Sequence, residues 1–148
     1  MNLAQLNIAK MVAPLDSPEM EGFVARLALV NARAEAAPGF IWRLRDDGAG
    51  ATSIRIFEDD FLLINMSVWY DPKALSDFVY QQSDHSEALR KRREWFEPPT
   101  EAMVACWSVI EGHQPSLAEA QQKLELLRKI GSTAESFSLN AASEFFEW

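Results

Sequence analysis

The sequence predicts an α+β domain of the ferredoxin-like class, an antiparallel sheet with helices on one face. Three observations lead to this prediction. The 148 residues suit one domain with a substantial core. Strand-like and helix-like segments follow one another in the order β-α-β-β-α-α-β, with one more helix after them. This order is close to the split β-α-β arrangement.

The first strand and the first helix are predicted in the N-terminal quarter. Residues 3–9 alternate between apolar and polar side chains, which is typical of a strand. Ser17 suits a helix N-cap and Pro18 the first helical position, so the helix is expected to begin there. It is expected to end near Ala36. Its predicted stripe has helical spacing and consists of Met20, Val24, Leu27, Asn31 and Ala34.

Two further strands are predicted in the middle of the chain. Residues 40–45 alternate, and the pattern places three apolar side chains on one face: Phe40, Trp42 and Leu44. Residues 61–69 form the strongest strand pattern. One face of this strand carries Leu62, Ile64, Met66 and Val68. Its other face carries Leu63, Asn65, Ser67 and Trp69.

The second half of the chain is expected to contain helices around one more strand. Asp71 and Pro72 predict a helix start, and a second helix is expected from Ser83 or Asp84. Residues 103–110 are apolar on both faces, which suits a strand buried on both sides.

The C-terminal part is expected to add a helix and a tail. Ser116 and Glu119 match a capping box, and Gly131 is the expected C-cap. We therefore expect a ferredoxin-like domain with an added helix over residues 1–131, and a loosely packed tail over residues 132–148.

The expected oligomer is a homodimer. The helices cover one face of the predicted sheet, while the other face also carries tryptophan, phenylalanine and isoleucine. A second copy of the chain is the simplest cover for that face, with the two sheets packed face to face as a dimeric α/β barrel.

Composition excludes several classes of protein. The formal net charge of -8 argues against nucleic-acid binding and against an electrostatic membrane anchor. No apolar run approaches the roughly 20 residues that span a bilayer. A single cysteine, Cys106, excludes an internal disulfide, and no signal peptide is evident. We expect a cytoplasmic protein.

Four segments resemble a known family. They are Leu3 to Ala9, Pro38 to Leu44, Asn65 to Trp69, and His85 with Arg90 to Phe96. Together they resemble the uncharacterised family called domain of unknown function 3291, over roughly residues 3–128. That family is similar to the dimeric α/β-barrel superfamily, which includes antibiotic-biosynthesis monooxygenases and haem-degrading enzymes. The resemblance implies the same fold and dimer, but it implies no activity, because the family has no established one.

The segment from His85 to Phe96 combines four basic residues with two large aromatic ones in an acidic protein. His85 suits a general acid or base, or an axial haem ligand. Arg92 or Arg93 suits the stabilisation of a developing enolate. Alternatively, His85 makes a structural hydrogen bond and the basic side chains pair with neighbouring glutamates.

Six further residues are candidates for binding a ligand. The resemblance to the monooxygenases implies a cavity between sheet and helices, lined by amide and aromatic side chains: Asn31, Asn65, Trp69 and Tyr80. Trp95 and Phe96 would add an apolar wall. A core hydrogen-bond network is the alternative for the amides.

These patterns predict a small-molecule-binding protein for a hydrophobic or aromatic ligand, resembling a cofactor-independent monooxygenase. The alternatives are a haem-handling protein and a non-catalytic structural dimer. No cofactor is expected unless the protein handles haem. No metal site is expected either, because metal-ligand spacings such as C-x-x-C are absent from the sequence.

Overall fold

The computed structural model describes residues 1–45, 61–82 and 94–148. Its centre is a four-stranded sheet in the order β2-β3-β1-β4, in which all neighbouring strands are antiparallel. The strands are β1 (Asn2–Lys10), β2 (Phe40–Arg43), β3 (Leu62–Trp69) and β4 (Val104–Val109). Because β3 lies between β1 and β2, the first β-α-β unit is split, which confirms the predicted α+β, ferredoxin-like class.

Two of the described helices begin where a short polar side chain caps them. The helices are α1 (Glu21–Ala36), α2 (Pro72–Gln82), α3 (Leu117–Ile130) and the short α4 (Ala142–Phe145). Asp71 Oδ1 accepts a hydrogen bond from the backbone N–H of Ala74 at the start of α2, and Ser116 caps α3. The predicted second helix after Ser83 falls mostly on residues 83–93, which lie outside the described residues.

The first helix begins later than the sequence predicts, and one residue of its predicted apolar stripe is exposed. A 3-10 turn over Pro18–Met20 precedes it. Phe23 is buried, whereas Val24, placed on the apolar stripe by the sequence pattern, is 42% exposed. The other predicted positions lie on the side of α1 that points to the sheet, and Arg26 lies on that side with them: Met20, Leu27, Asn31 and Ala34.

One sheet face, which we call the packed face, is closed by helix α3 of the same chain. Apolar residues of β1, β3 and β4 form one buried cluster with Ala120, Leu124 and Leu127 of α3. Helices therefore lie on both faces of the sheet rather than on one. The homodimer was predicted because this face needed cover. Since α3 provides that cover, the argument no longer supports a homodimer, which stays a prediction.

A β-bulge divides the aromatic residues of β2 between the two faces. Phe40 lies opposite Trp69, but Trp42 lies opposite Val68, so Ile41 is an extra residue in the ladder. Trp42 and Leu44 consequently pack against the packed face, and Phe40 belongs to the cluster on the other side. The prediction of one common face for all three is wrong, because simple alternation does not allow for a bulge.

The C-terminal segment is docked, contrary to the predicted loosely packed tail. Phe137, Ala142 and Phe146 are buried in one cluster with Cys106 of β4. Phe137 and Cys106 also exchange two backbone hydrogen bonds, of 2.8 and 2.9 Å. The physical reason is that β4 is an edge strand, whose outer N–H and C=O groups need partners, and the backbone of Phe137 supplies them at Cys106.

Candidate functional site

The other sheet face, which we call the cavity face, is separated from α1 and α2 by a cavity of about 370 Å³. The sheet provides its floor, α1 and α2 provide its roof, and Trp95 and Phe96 close one side. A cavity of this size suits a small organic molecule.

The middle of the floor is polar. Gln5 lies directly opposite Ser67 across β1 and β3, and Asn7 lies opposite Asn65. We call these four residues the polar band. The adjoining pairs on the same face are apolar, with Leu3 opposite Trp69 at one end and Ala9 opposite Leu63 at the other.

Hydrogen bonds connect most of the polar band. Gln5 Nε2 donates to Asn65 Oδ1 over 2.9 Å and to Ser67 Oγ over 2.8 Å. The indole N–H of Trp69 also donates to Ser67 Oγ, over 2.8 Å. Gln5 and Ser67 are only 7% and 6% exposed, so these bonds offset the cost of burying their polar atoms.

Aromatic rings form the end of the cavity beside α2. Trp69 is 1% exposed, its ring contacts Phe40 edge-on at 5.5 Å between centroids, and it stacks on Phe78 at 5.2 Å. Leu75 and Val79 of α2 complete this end. Such ring pairs stabilise more than their buried area alone, so these contacts help to hold the wall together.

A second aromatic group forms the opposite end, beneath the start of α1. Phe23 contacts Trp95 and Phe96 edge-on, at centroid distances of 5.6 and 4.9 Å. Backbone bonds hold the two residues beside the end of β1, because Trp95 O accepts from Val12 and the N–H of Glu97 donates to Lys10 O, each over 2.8 Å. A cavity with two aromatic ends suits a ligand with an extended apolar body.

The roof and the rim supply the charged groups. Arg26 and Asn31 of α1 line the cavity together with Leu27 and Val30, and Arg43 reaches it from β2.

The carboxylate of Glu35 holds Arg43, with 2.6 Å between Arg43 Nε and Glu35 Oε1, and it also accepts a hydrogen bond from Arg45. The Arg43 hydrogen bond is the largest cause that lowers the pKa of Glu35 from its ordinary value.

The structure brings five of the predicted ligand-binding residues together at this cavity: Asn31, Asn65, Trp69, Trp95 and Phe96. Tyr80 is a correction to the predicted set, because it is 81% exposed and does not line the cavity. The predicted catalytic residues, His85, Arg92 and Arg93, lie outside the described residues.

Gln5, Ser67 and Arg26 also contribute to the site, although sequence analysis did not select them. Gln5 and Ser67 are polar residues on strand faces that helices cover. A polar side chain at such a position needs a partner, and this sequence signal could have identified both residues as part of the site. Arg26 was missed because the predicted stripe included only one position per turn, whereas the side of α1 that borders the cavity also includes the neighbouring positions Arg26 and Val30.

Among the described residues that line the cavity, none is histidine, cysteine, tyrosine or methionine, the usual protein ligands of haem iron. The same part of the chain contains no group of three metal-ligating side chains.

Burial raises the pKa of the Cys106 thiol to about 12. His113 lies outside the cavity lining and pairs with Glu119 over 2.8 Å. No helix within the described ranges has the length and apolar character needed to cross a membrane.

Comparison with known proteins identifies a family. The family described as Domain of unknown function (DUF3291) matches residues 2–147, almost the whole chain. No curated protein and no solved structure matches. The chain therefore belongs to the DUF3291 family.

Proposed function

We propose that this member of the DUF3291 family binds a small hydrophobic or aromatic molecule in the cavity between the sheet and helices α1 and α2. The observation that carries the proposal is the polar band in the middle of an otherwise apolar, aromatic-ended cavity. Ligand pockets typically combine such an apolar lining with a few polar groups that orient the ligand.

The band is not a self-sufficient core network. The side chains of Asn7 and Asn31 line the cavity without a hydrogen bond to any residue of the described part of the chain. Buried amides in a closed core are normally satisfied within the protein. Amides that face a cavity without protein partners are available to hydrogen-bond a ligand.

The cavity lining supports binding and orientation of a ligand, and the residues predicted to be catalytic lie outside the described part of the chain. Oxygenase-like chemistry, with His85 moving a proton and Arg92 or Arg93 holding an enolate, stays a prediction. Haem as an alternative ligand also stays a prediction, because it requires His85.

The first test is to fill the cavity. Native mass spectrometry of the purified protein will detect a retained molecule, and N-phenyl-1-naphthylamine fluorescence will report an apolar cavity. Val30→Trp places a bulky ring into the cavity, so we expect it to abolish binding of the dye while the protein stays folded. The matched control is Leu29→Trp, which adds the same ring at an exposed neighbour in α1.

The two variants make the outcome decisive. Binding by the control but not by Val30→Trp locates the site in the cavity. Equal binding of the dye by wild type and by folded Val30→Trp would show that the cavity is not the site, and the proposed function would then fail.

A further inference from the structure

We infer that the molecule held in this cavity is an organic acid, with a hydrophobic or aromatic body and a carboxylate that binds Arg26. This inference rests on the proposed function, since it specifies the chemical class of the ligand of the same cavity. Two independent observations carry it: the charge of the lining, and the hydrogen-bond donors that the polar band leaves unused.

The charge of the cavity lining is opposite to the charge of the protein. The formal net charge is -8, yet Arg26 and Arg43 are the charged residues among the described residues that line the cavity. Glu35 neutralises Arg43 through a 2.6 Å contact.

The half-buried Arg26, by contrast, forms no ion pair or hydrogen bond within residues 1–45, 61–82 and 94–148. A guanidinium withdrawn in part from water, with no carboxylate of its own, favours an anionic partner.

The hydrogen bonds of the polar band leave donors of Ser67 and Asn65 unused. Gln5 uses both hydrogens of its amide nitrogen, on Asn65 Oδ1 and Ser67 Oγ. Ser67 Oγ accepts two bonds, from Gln5 and from Trp69, so neither uses its own hydroxyl hydrogen.

Asn65 accepts through Oδ1, which leaves its amide N–H groups unused. Ser67 and Asn65 are two residues apart on β3, so both donors project from the same face.

A carboxylate satisfies this arrangement better than a neutral apolar molecule does. It accepts hydrogen bonds only, through two oxygens, and charge-assisted bonds to arginine are stronger than neutral ones. The aromatic groups at the two ends of the cavity provide apolar contacts for the body of the same molecule.

The test compares 2-naphthoate with 2-naphthamide, two probes of nearly the same shape that differ in charge, by isothermal titration calorimetry. We expect wild type to bind naphthoate about tenfold or more tightly than naphthamide. Arg26→Gln should remove most of that preference by weakening naphthoate alone. Lys129→Gln, on an exposed position of α3, removes the same charge outside the cavity and should leave both affinities unchanged.

Each outcome separates the two hypotheses. Equal affinities for the two probes, or a cavity that takes N-phenyl-1-naphthylamine but rejects naphthoate, would overturn the organic acid and leave the proposed function intact. Equal weakening of both probes by Arg26→Gln would show that Arg26 only shapes the cavity. The proposed function fails under a different result: Val30→Trp leaves the binding of the dye or of the probes unchanged.

Discussion

The two faces of the central sheet use the same strands for opposite purposes. On the packed face, β1 and β3 present Ala4, Leu6, Ile8, Ile64, Met66 and Val68, which α3 covers without a polar interruption. On the cavity face, the alternate residues of the same strands form the polar band, and α1 and α2 leave a cavity above it. Polar groups thus occur where the fold leaves room for a ligand, and close apolar packing occurs where it does not.

This comparison assigns stability to the packed face and binding to the cavity face. Since side chains alternate between the faces along each strand, a substitution on one face changes the other only through the shared backbone. Substitutions on the two faces should therefore have separable effects on stability and on ligand affinity.

The largest effect is expected for Leu124→Ala on the packed face. Leu124 is fully buried beneath the sheet, so its truncation leaves a cavity and should lower the free energy of unfolding by about 2–5 kcal/mol. Urea denaturation measures this change, and Lys129→Ala at an exposed position of the same helix is the control. Weaker dye binding by the folded variant, without a loss of stability, would contradict the division between faces.

A smaller effect is expected for Ser67→Ala on the cavity face. The substitution leaves the buried indole N–H of Trp69, and one N–H of Gln5, without an acceptor, which costs about 1–3 kcal/mol of stability. It should also weaken naphthoate binding, because a donor is lost. Denaturation and calorimetry on one sample measure both, and Ser76→Ala on the exposed side of α2 is the control. Unchanged stability would mean that the band does not contribute to the fold.

The smallest effect is expected for Glu35→Gln at the rim of the cavity. Arg43 lowers the pKa of Glu35 in the folded protein, so the ionised carboxylate stabilises the fold above its unfolded-state pKa. That contribution is lost as the pH falls through the folded-state pKa. Because the pair is solvent-accessible, we expect a small difference in Tm between wild type and variant near neutral pH, which disappears on acidification.

A pH series of thermal unfolding curves checks this sign. Glu125→Gln is the matched control, because its partner is the neutral amide of Gln121 on the exposed side of α3. A difference between wild type and Glu35→Gln that persists or grows in acid would contradict the role of the Arg43 pair.

Sequence patterns predicted several local features of this protein correctly. The strand alternation in β1 and β3, the Asp71 and Ser116 caps and the Gly131 C-cap depend on neighbours within four residues, and all are present. Glu119 departs from the capping box, because its carboxylate accepts a hydrogen bond from the indole N–H of Trp107 and contacts His113. A partner 12 residues away in the chain was not visible in the local pattern.

The sequence by itself determined the α+β class and the order of the elements within the described residues, because periodicity and capping are short-range properties. It also predicted half of the cavity's amide and aromatic lining, namely Asn31, Asn65, Trp69, Trp95 and Phe96. Only the tertiary structure decided that α3 covers the packed face and that Phe137 pairs with the edge of β4. It also decided that a bulge at Ile41 places Phe40 and Arg43 on the cavity face, and that Arg26 joins them there. These outcomes depend on which distant surfaces meet, since apolar area and unpaired backbone groups are satisfied by whichever segment the folded chain brings close.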